Sequence, residues 1–427
     1  MVEKAPPVWD SLGVPAYRTL WLAVTAGNSG RWAATMAVGW LVHTWTHSAF
    51  WVGAAMFAMQ GPILVFAPVA GVLLDRFHRA RLLSAAFALG ALATFAMALA
   101  ARFDLGLGWL LAAALGFGIA FSFQSTTWTT LVAPLVPKAK LSNAIALISA
   151  ARQGTEFVGP ALATPILLRW GSPAVFVTAT VLLILATALA LTLGGVRAAG
   201  AVGQAGARAP EGSALAEGIR YVRRHAALDF LIFFIGVHCV LTMAYQGVLP
   251  SVVARDLGAA AGAYGAVMTA IGVGALVGSL ALARIRAPET MGRALGVTTL
   301  LSGLSVVLLG VASTVPVAAL AGFLMGLSQT PFMALTQVFV QERVENAYRG
   351  RVTSLRSVVA QGTMSLGNWA WGLVAVALPP GLVLVMLGGG FVVAAAVARG
   401  RSATFRHLLA PARAWAAQKQ GAPAPPL

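Results

Sequence analysis

The sequence predicts an all-α integral membrane protein with twelve transmembrane helices in two pseudo-symmetric six-helix bundles. Three observations predict it. Of 427 residues, 59% are hydrophobic and 10% charged, with a mean hydropathy of +0.83. Soluble domains carry about 25% charged residues, so this chain cannot cover a water-facing surface and must use lipid as solvent. Apolar runs of roughly 20 residues recur, each long enough to cross about 30 Å of hydrocarbon. Finally, Gln153-Gly154-Thr155 followed by Gly159 recurs as Gln361-Gly362-Thr363 followed by Gly367, an offset of 208 residues (361 − 153). The same offset pairs Gly118 with Gly326, Val132 with Val340, Val136 with Val344, Leu147 with Leu355 and Ser149 with Ser357. A gap-free register of this kind predicts an internal duplication.

The apolar runs place spans near 19–44, 50–74, 81–101, 107–133, 142–168 and 173–194, then 228–250, 262–283, 292–312, 314–340, 353–378 and 381–399. All should be helical, because backbone groups in hydrocarbon must be satisfied within their own segment. The organisation expected is a first bundle over 1–194, a linker over 195–227, a second bundle over 228–400 and a tail over 401–427.

Charge then orients the spans. With the N-terminus, alternate loops and the C-terminus on one side, that side takes most of the 29 Lys and Arg residues. The opposite loops hold only Arg102, Arg169 and Arg255, and Arg31 and Arg152 fall within spans. Arg343, Arg349, Arg351 and Arg356 are counted with the basic loop after the tenth span. This bias predicts both termini on the cytoplasmic side. It also accounts for the net charge of +17 without nucleic acid. No cleavable signal peptide is expected at the polar start. One cysteine, Cys239, excludes an intrachain disulfide and a Cys-based metal site.

Within the linker, Ala198 to Pro210 reads as a flexible Ala/Gly-rich stretch. Glu211 to His225 reads as an amphipathic helix, with Leu215, Ile219 and Val222 on one face and Arg220, Arg223 and Arg224 placed to meet anionic headgroups. The Pro/Ala-rich tail, Ala410 to Leu427, is expected to be disordered.

The loop after the second span reads Gly71-Val72-Leu73-Leu74-Asp75-Arg76-Phe77-His78-Arg79-Ala80-Arg81. It resembles the signature loop of the major facilitator superfamily, G-x-x-x-D-R-x-G-R-R, at Gly71, Asp75, Arg76 and Arg79. His78 stands in place of the usual glycine. Gly154 through Gly159-Pro160 is similar to the Gly-Pro motif of antiporter branches, with Ala163 and Thr164 where a glycine pair is typical. Tyr17-Arg18-Thr19-Leu20-Trp21, Glu217 through His225, and Arg349-Gly350-Arg351-Val352 resemble the drug and siderophore exporters, the macrolide-efflux and enterobactin-exporter-like proteins. The basic residue common in the fourth span of drug exporters is missing, since 116–130 holds no charge. The resemblance implies two six-helix bundles around a central cavity with alternating access. It makes Gly71, Asp75, Arg76 and Arg79 a cytoplasmic gate, in which Asp75 pairs with Arg76 or Arg79 or caps a facing helix. The loop after the eighth span lacks a matching aspartate, so the gate is expected to be one-sided.

Arg31, Arg152 and Glu156 fall near mid-membrane. Each would cost about 2.5–3.5 kcal/mol or more facing lipid alone, so they are expected to face the interior. Arg152 and Glu156 stand four residues apart on one helix face. Two readings stay open: a proton-coupling or substrate site centred on Glu156, and an ion cluster that holds the first bundle together. His238 is either a proton carrier or a satisfied core histidine. Asn28, Gln60, Gln124, Gln153, Tyr245, Gln246, Gln329, Gln361 and Asn368 are expected to line the cavity, because an amide facing lipid is costly. Arg152 aligns with Ala360 and Glu156 with Met364 at the repeat offset, so the second half is expected to offer a more neutral wall.

No Walker loop or catalytic constellation is present, and neither enzymatic activity, a cofactor nor a metal is expected. The expected function is a monomeric, proton-coupled exporter of hydrophobic or amphipathic small molecules, such as a drug or siderophore, in the inner membrane. The alternatives are a lipid or lysolipid flippase and a non-transporting membrane sensor or scaffold. The expected partners are a small-molecule substrate, protons and membrane lipids.

Overall fold

The computed structural model describes residues 9–193, 211–285, 288–345 and 348–409. They are almost wholly helical, and among them no strand occurs. Ala198–Pro210 and the tail beyond 409 lie outside the described residues. The helices are α1 (Pro15–Thr46), α2 (Ala49–Gln60), α3 (Ile63–Arg76), α4 (Arg79–Arg102), α5 (Leu107–Leu135), α6 (Leu141–Thr192) and α7 (Glu211–Arg223). They continue as α8 (Ala226–His238), α9 (Leu249–Ser251), α10 (Ala261–Ala283), α11 (Pro288–Gly310), α12 (Val315–Arg343), α13 (Arg349–Ala377), α14 (Pro380–Arg401) and α15 (Ala403–Leu409).

Among the described residues, nine helical stretches are long and apolar enough to cross a membrane. One of them, Lys138–Thr192, runs to 55 residues and is two spans. Gly30 of α1 lies beside Ala179 and Leu182, while neighbouring Ser29 and Trp32 lie beside Gly159. The chain has therefore reversed between 159 and 179. It does so at Gly171, whose φ of 78° and ψ of 179° only glycine adopts without strain. α1 and α13, of 32 and 29 residues, have the length but a more polar sequence. The predicted all-helical membrane fold is borne out, and most residues of the twelve expected intervals fall on helix.

Two breaks shape the interior. α2 gives way to α3 at Gly61-Pro62, where proline lacks the N–H that would continue the ladder. After α8 the chain passes through a π turn (Cys239–Met243), hydrogen-bonded turns, α9 and a second π turn (Val252–Asp256). Irregular backbone at membrane depth needs partners, and side chains supply them. Trp371 Nε1 donates to the Val240 carbonyl at 2.9 Å. Gln329 Nε2 donates to that of Thr242 at 3.0 Å. The Gly247 N–H donates to Asn368 Oδ1 at 2.9 Å.

In the first half, α1 runs along the first arm of α6: Tyr17 donates to the Ala144 carbonyl at 2.7 Å and Trp21 Nε1 to that of Leu147 at 3.1 Å. The halves meet where α2 packs on α13 and α6 on α10. α1 and α2 begin on opposite faces, and the loops holding Arg79 and Lys138 mark what we call the basic face. The contacts between halves concentrate toward the other face. There Trp40 stacks on Tyr264 at 5.7 Å and the ring of His43 meets Ser251 Oγ at 3.2 Å. Gly53 lies so close to the backbone of Asn368 and Trp369 that a side chain would not fit. Nearer the basic face, Ser279 donates to Gln153 Oε1. α7 rests on α13 through Arg351 and Glu217, 3.0 Å apart.

Candidate functional site

Arg31 lies halfway along α1, and aromatic faces hold it. Its guanidinium sits 4.6 Å from the Trp32 ring and 4.5 Å from the Phe121 ring of α5. Such cation–π contacts contribute about 0.5–2 kcal/mol each. Arg31, Arg152 and Glu156 come together closely enough for their charges to act on one another. Glu156 nevertheless makes no ion pair within 4 Å. Among the described residues, such pairs are Lys140–Asp10, Arg223–Asp229 and Arg351–Glu217. The four-residue spacing of Arg152 and Glu156 is thus not closed into a salt bridge. Arg152 is exposed although it stands about 16 Å along α6 from Leu141.

A fourth charge was placed elsewhere by sequence reasoning. Arg356, counted above with a loop, stands two turns inside α13. Its Nη2 donates to the Met333 carbonyl of α12 at 2.7 Å, and its charge acts on that of Arg152. The predicted span 353–378 already contains it, and subtracting 208 puts Arg356 at Ile148, within the fifth span. The second half thus adds one charge of its own, Arg356, beside the three of the first half.

Hydrogen bonding gives the centre a direction. Asn28 Nδ2, Arg31 Nε and Trp32 Nε1, on one side of α1, are buried without a partner, as is Arg356 Nε. All four are N–H donors. A buried unpaired donor costs about 1–3 kcal/mol.

Most of the polar residues expected to line the cavity are joined to protein instead. Gln60 donates to Gln246 at 2.9 Å across the halves. Gln124 Nε2 donates to the Ala86 carbonyl at 2.9 Å. Gln329 and Asn368 hold the irregular backbone after α8, and Gln153 accepts from Ser279. Tyr245 is buried with its ring near Glu156, and Gln361 is half-buried in α13. His238 is fully buried, stacked 3.9 Å from Phe332 with Nε2 3.4 Å from Ser302 Oγ. Its Nδ1 is buried without a partner.

Of the signature loop, Gly71 and Arg76 end α3, and the side chain of Asp75 lies outside the described residues. Arg79 Nη1 donates to the Thr130 carbonyl at 3.2 Å, tying the start of α4 to α5.

A family model described as transmembrane secretion effector matches residues 7–419. No individual curated protein matches the sequence. Among solved structures, a POT family transporter in complex with 5-aminolevulinic acid superposes with a TM-score of 0.72 at 11% identity, covering 92% of this chain and 97% of that one. The nucleoside transporter NupG gives 0.68 at 14% identity, covering 92% and 98%. At such identities the likeness is one of fold.

Proposed function

The chain belongs to the transmembrane secretion effector family and is a major facilitator transporter; from that premise we propose that it moves small amphipathic anions across the membrane with proton coupling. The observation carrying this reading is the centre itself. Arg31 and Arg152 act on the charge of Glu156, and Arg356 from the other half acts on that of Arg152. Glu156 is the group that takes the proton. Arg31 and Arg152, with Arg356 from the other half, hold the carboxylate or phosphate-like end of a drug or siderophore. Protonating Glu156 removes the only negative charge competing for those arginines, so proton entry and anion affinity are linked. The packing of Trp40 on Tyr264 and of Gly53 on Asn368 matches a state open toward the basic face. We place that face in the cytoplasm, with both termini, and the chain in the plasma membrane as a monomer. Gly71, Asp75, Arg76 and Arg79 form the gate on that face, and Gln361 lines the path. The bundles extend over 1–194 and 228–400, with a linker over 195–227 and a tail over 401–427.

The test is transport in proteoliposomes under an imposed pH gradient, with anionic, neutral and cationic amphiphiles of similar size. Gradient-driven movement of the anions is expected, and Glu156→Gln should uncouple movement from the gradient. Transport of cations alone, or a Glu156→Gln variant that stays coupled, would overturn the proposal.

A further inference from the structure

A cleft of about 610 Å³ lies between α8 and α13, with α7 across its end on the basic face. Val222, Phe233, Val237, Val240, Val359 and Leu366 make its walls, and Arg223 and Asp229 stand at its mouth. It is separate from the arginine centre. Ile235, Cys239 and Ala360 pack together on the other side of the α8–α13 contact. Phe233 and Leu366 on the rim are 68% and 47% exposed. At membrane depth, exposed apolar side chains of this kind face hydrocarbon.

The internal repeat explains why the cleft exists. In the first half the corresponding groove, between α1 and the first arm of α6, holds two tryptophans. Trp21 reaches the Leu147 carbonyl, and Trp32 packs on Gly159. Adding 208 turns Leu147 into Leu355, a cleft-lining residue, and turns the Gly159–Trp32 contact into Gly367–Val240, which is present. The same shift turns Trp21 into Asp229 and Trp32 into Val240. Two indoles are thus replaced by a small acidic and a small aliphatic side chain, and the groove stays unfilled.

From this geometry we infer that the cleft binds one acyl chain of an anionic phospholipid from the leaflet at the basic face. The length fits. From Asp229 to Val240 the groove runs about 16 Å along α8, half the roughly 30 Å hydrocarbon core. The charge fits as well. Arg220, Arg223 and Arg224 stand exposed on the last turn of α7, at headgroup height over the mouth. Only Arg223 meets a carboxylate, Asp229, at 3.5 Å. Clustered arginines on an amphipathic helix draw anionic headgroups. The lipid wedges α7 against α8 and α13, and so couples the linker to lipid composition.

The experiment uses the full chain in nanodiscs doped with diazirine-bearing phosphatidylglycerol or phosphatidylcholine, with adducts mapped by mass spectrometry. Phosphatidylglycerol should label Phe233, Val237, Val240 and Leu366 at least fivefold above phosphatidylcholine. Arg220→Ala/Arg223→Ala/Arg224→Ala should remove that preference. Val240→Trp, which restores the indole of the first half, should lower labelling about tenfold. Labelling spread evenly around the molecule, equal labelling by the two lipids, or full labelling of a folded Val240→Trp variant would each overturn the inference. The headgroup comparison is made on the unaltered protein, so it decides even if a variant does not fold. No arm measures transport, so the outcome is independent of the function proposed above.

Discussion

Gln60 of α2 donates to Gln246, 186 residues away in the irregular stretch after α8, and both side chains are buried. It is a direct side-chain bond between the halves, near the level at which they close. Gln60→Leu leaves the Gln246 carbonyl without its donor, at about 1–3 kcal/mol. The closed outer face should lose about tenfold or more in population. Ala49 packs under Gly372 at that face, so the rate of maleimide labelling of Ala49→Cys reads the change. The native Cys239 is buried and adds little background.

The reversal at Gly171 depends on a conformation that only glycine holds easily. Gly171→Ala should destabilise the chain by about 1–3 kcal/mol. The expected readout is a lower thermal midpoint, with transport per folded molecule unchanged at permissive temperature.

Arg356 is predicted to matter for substrate and little for folding. Arg356→Gln removes a charge-assisted donor, a contribution of about 1.5–3 kcal/mol. The KM for anionic substrates should rise about tenfold or more. Arg356→Lys should recover only part, since an ammonium lacks the planar fork of donors. Neutral substrates should be moved unchanged by both variants, which separates binding from damage to the fold.

Arg31 is held by the ring faces of Trp32 and Phe121. Phe121→Leu should therefore lower thermal stability by about 0.5–2 kcal/mol while leaving Glu156 in place. Arg31→Lys should not be conservative, because lysine cannot stack flat between Trp32 and Phe121.

The fold was legible because lipid imposes simple rules. Span length and basic-loop bias locate helices without any knowledge of packing. The breaks were less legible: the π turns after α8 depend on Trp371, Gln329 and Asn368, partners about 90–130 residues away. The site was legible in its first-half charges. It was obscured in the second half, where Arg356 lies only three residues into the predicted span 353–378 and so reads with the basic loop before it. The polar residues carry an ambiguity with a physical cause. An inward-facing amide has two ways to avoid lipid, lining water or bonding to a neighbour, and sequence does not distinguish them. Gln124 and Gln329 bond to neighbours.

Three arginines and one glutamate give the centre no neutral state of its own. With Glu156 ionised the excess is two positive charges, and with Glu156 protonated it is three. On the reading proposed above, an anionic cargo reduces that excess. Moving one elementary charge through the full membrane potential involves about 2.3 kcal/mol per 100 mV. An empty centre that swings with the bundles feels some fraction of that field, and a loaded one much less. Voltage would then act on the return of the unloaded protein more than on its loaded stroke, which makes the direction of cycling a property of charge balance at Arg31, Arg152, Glu156 and Arg356.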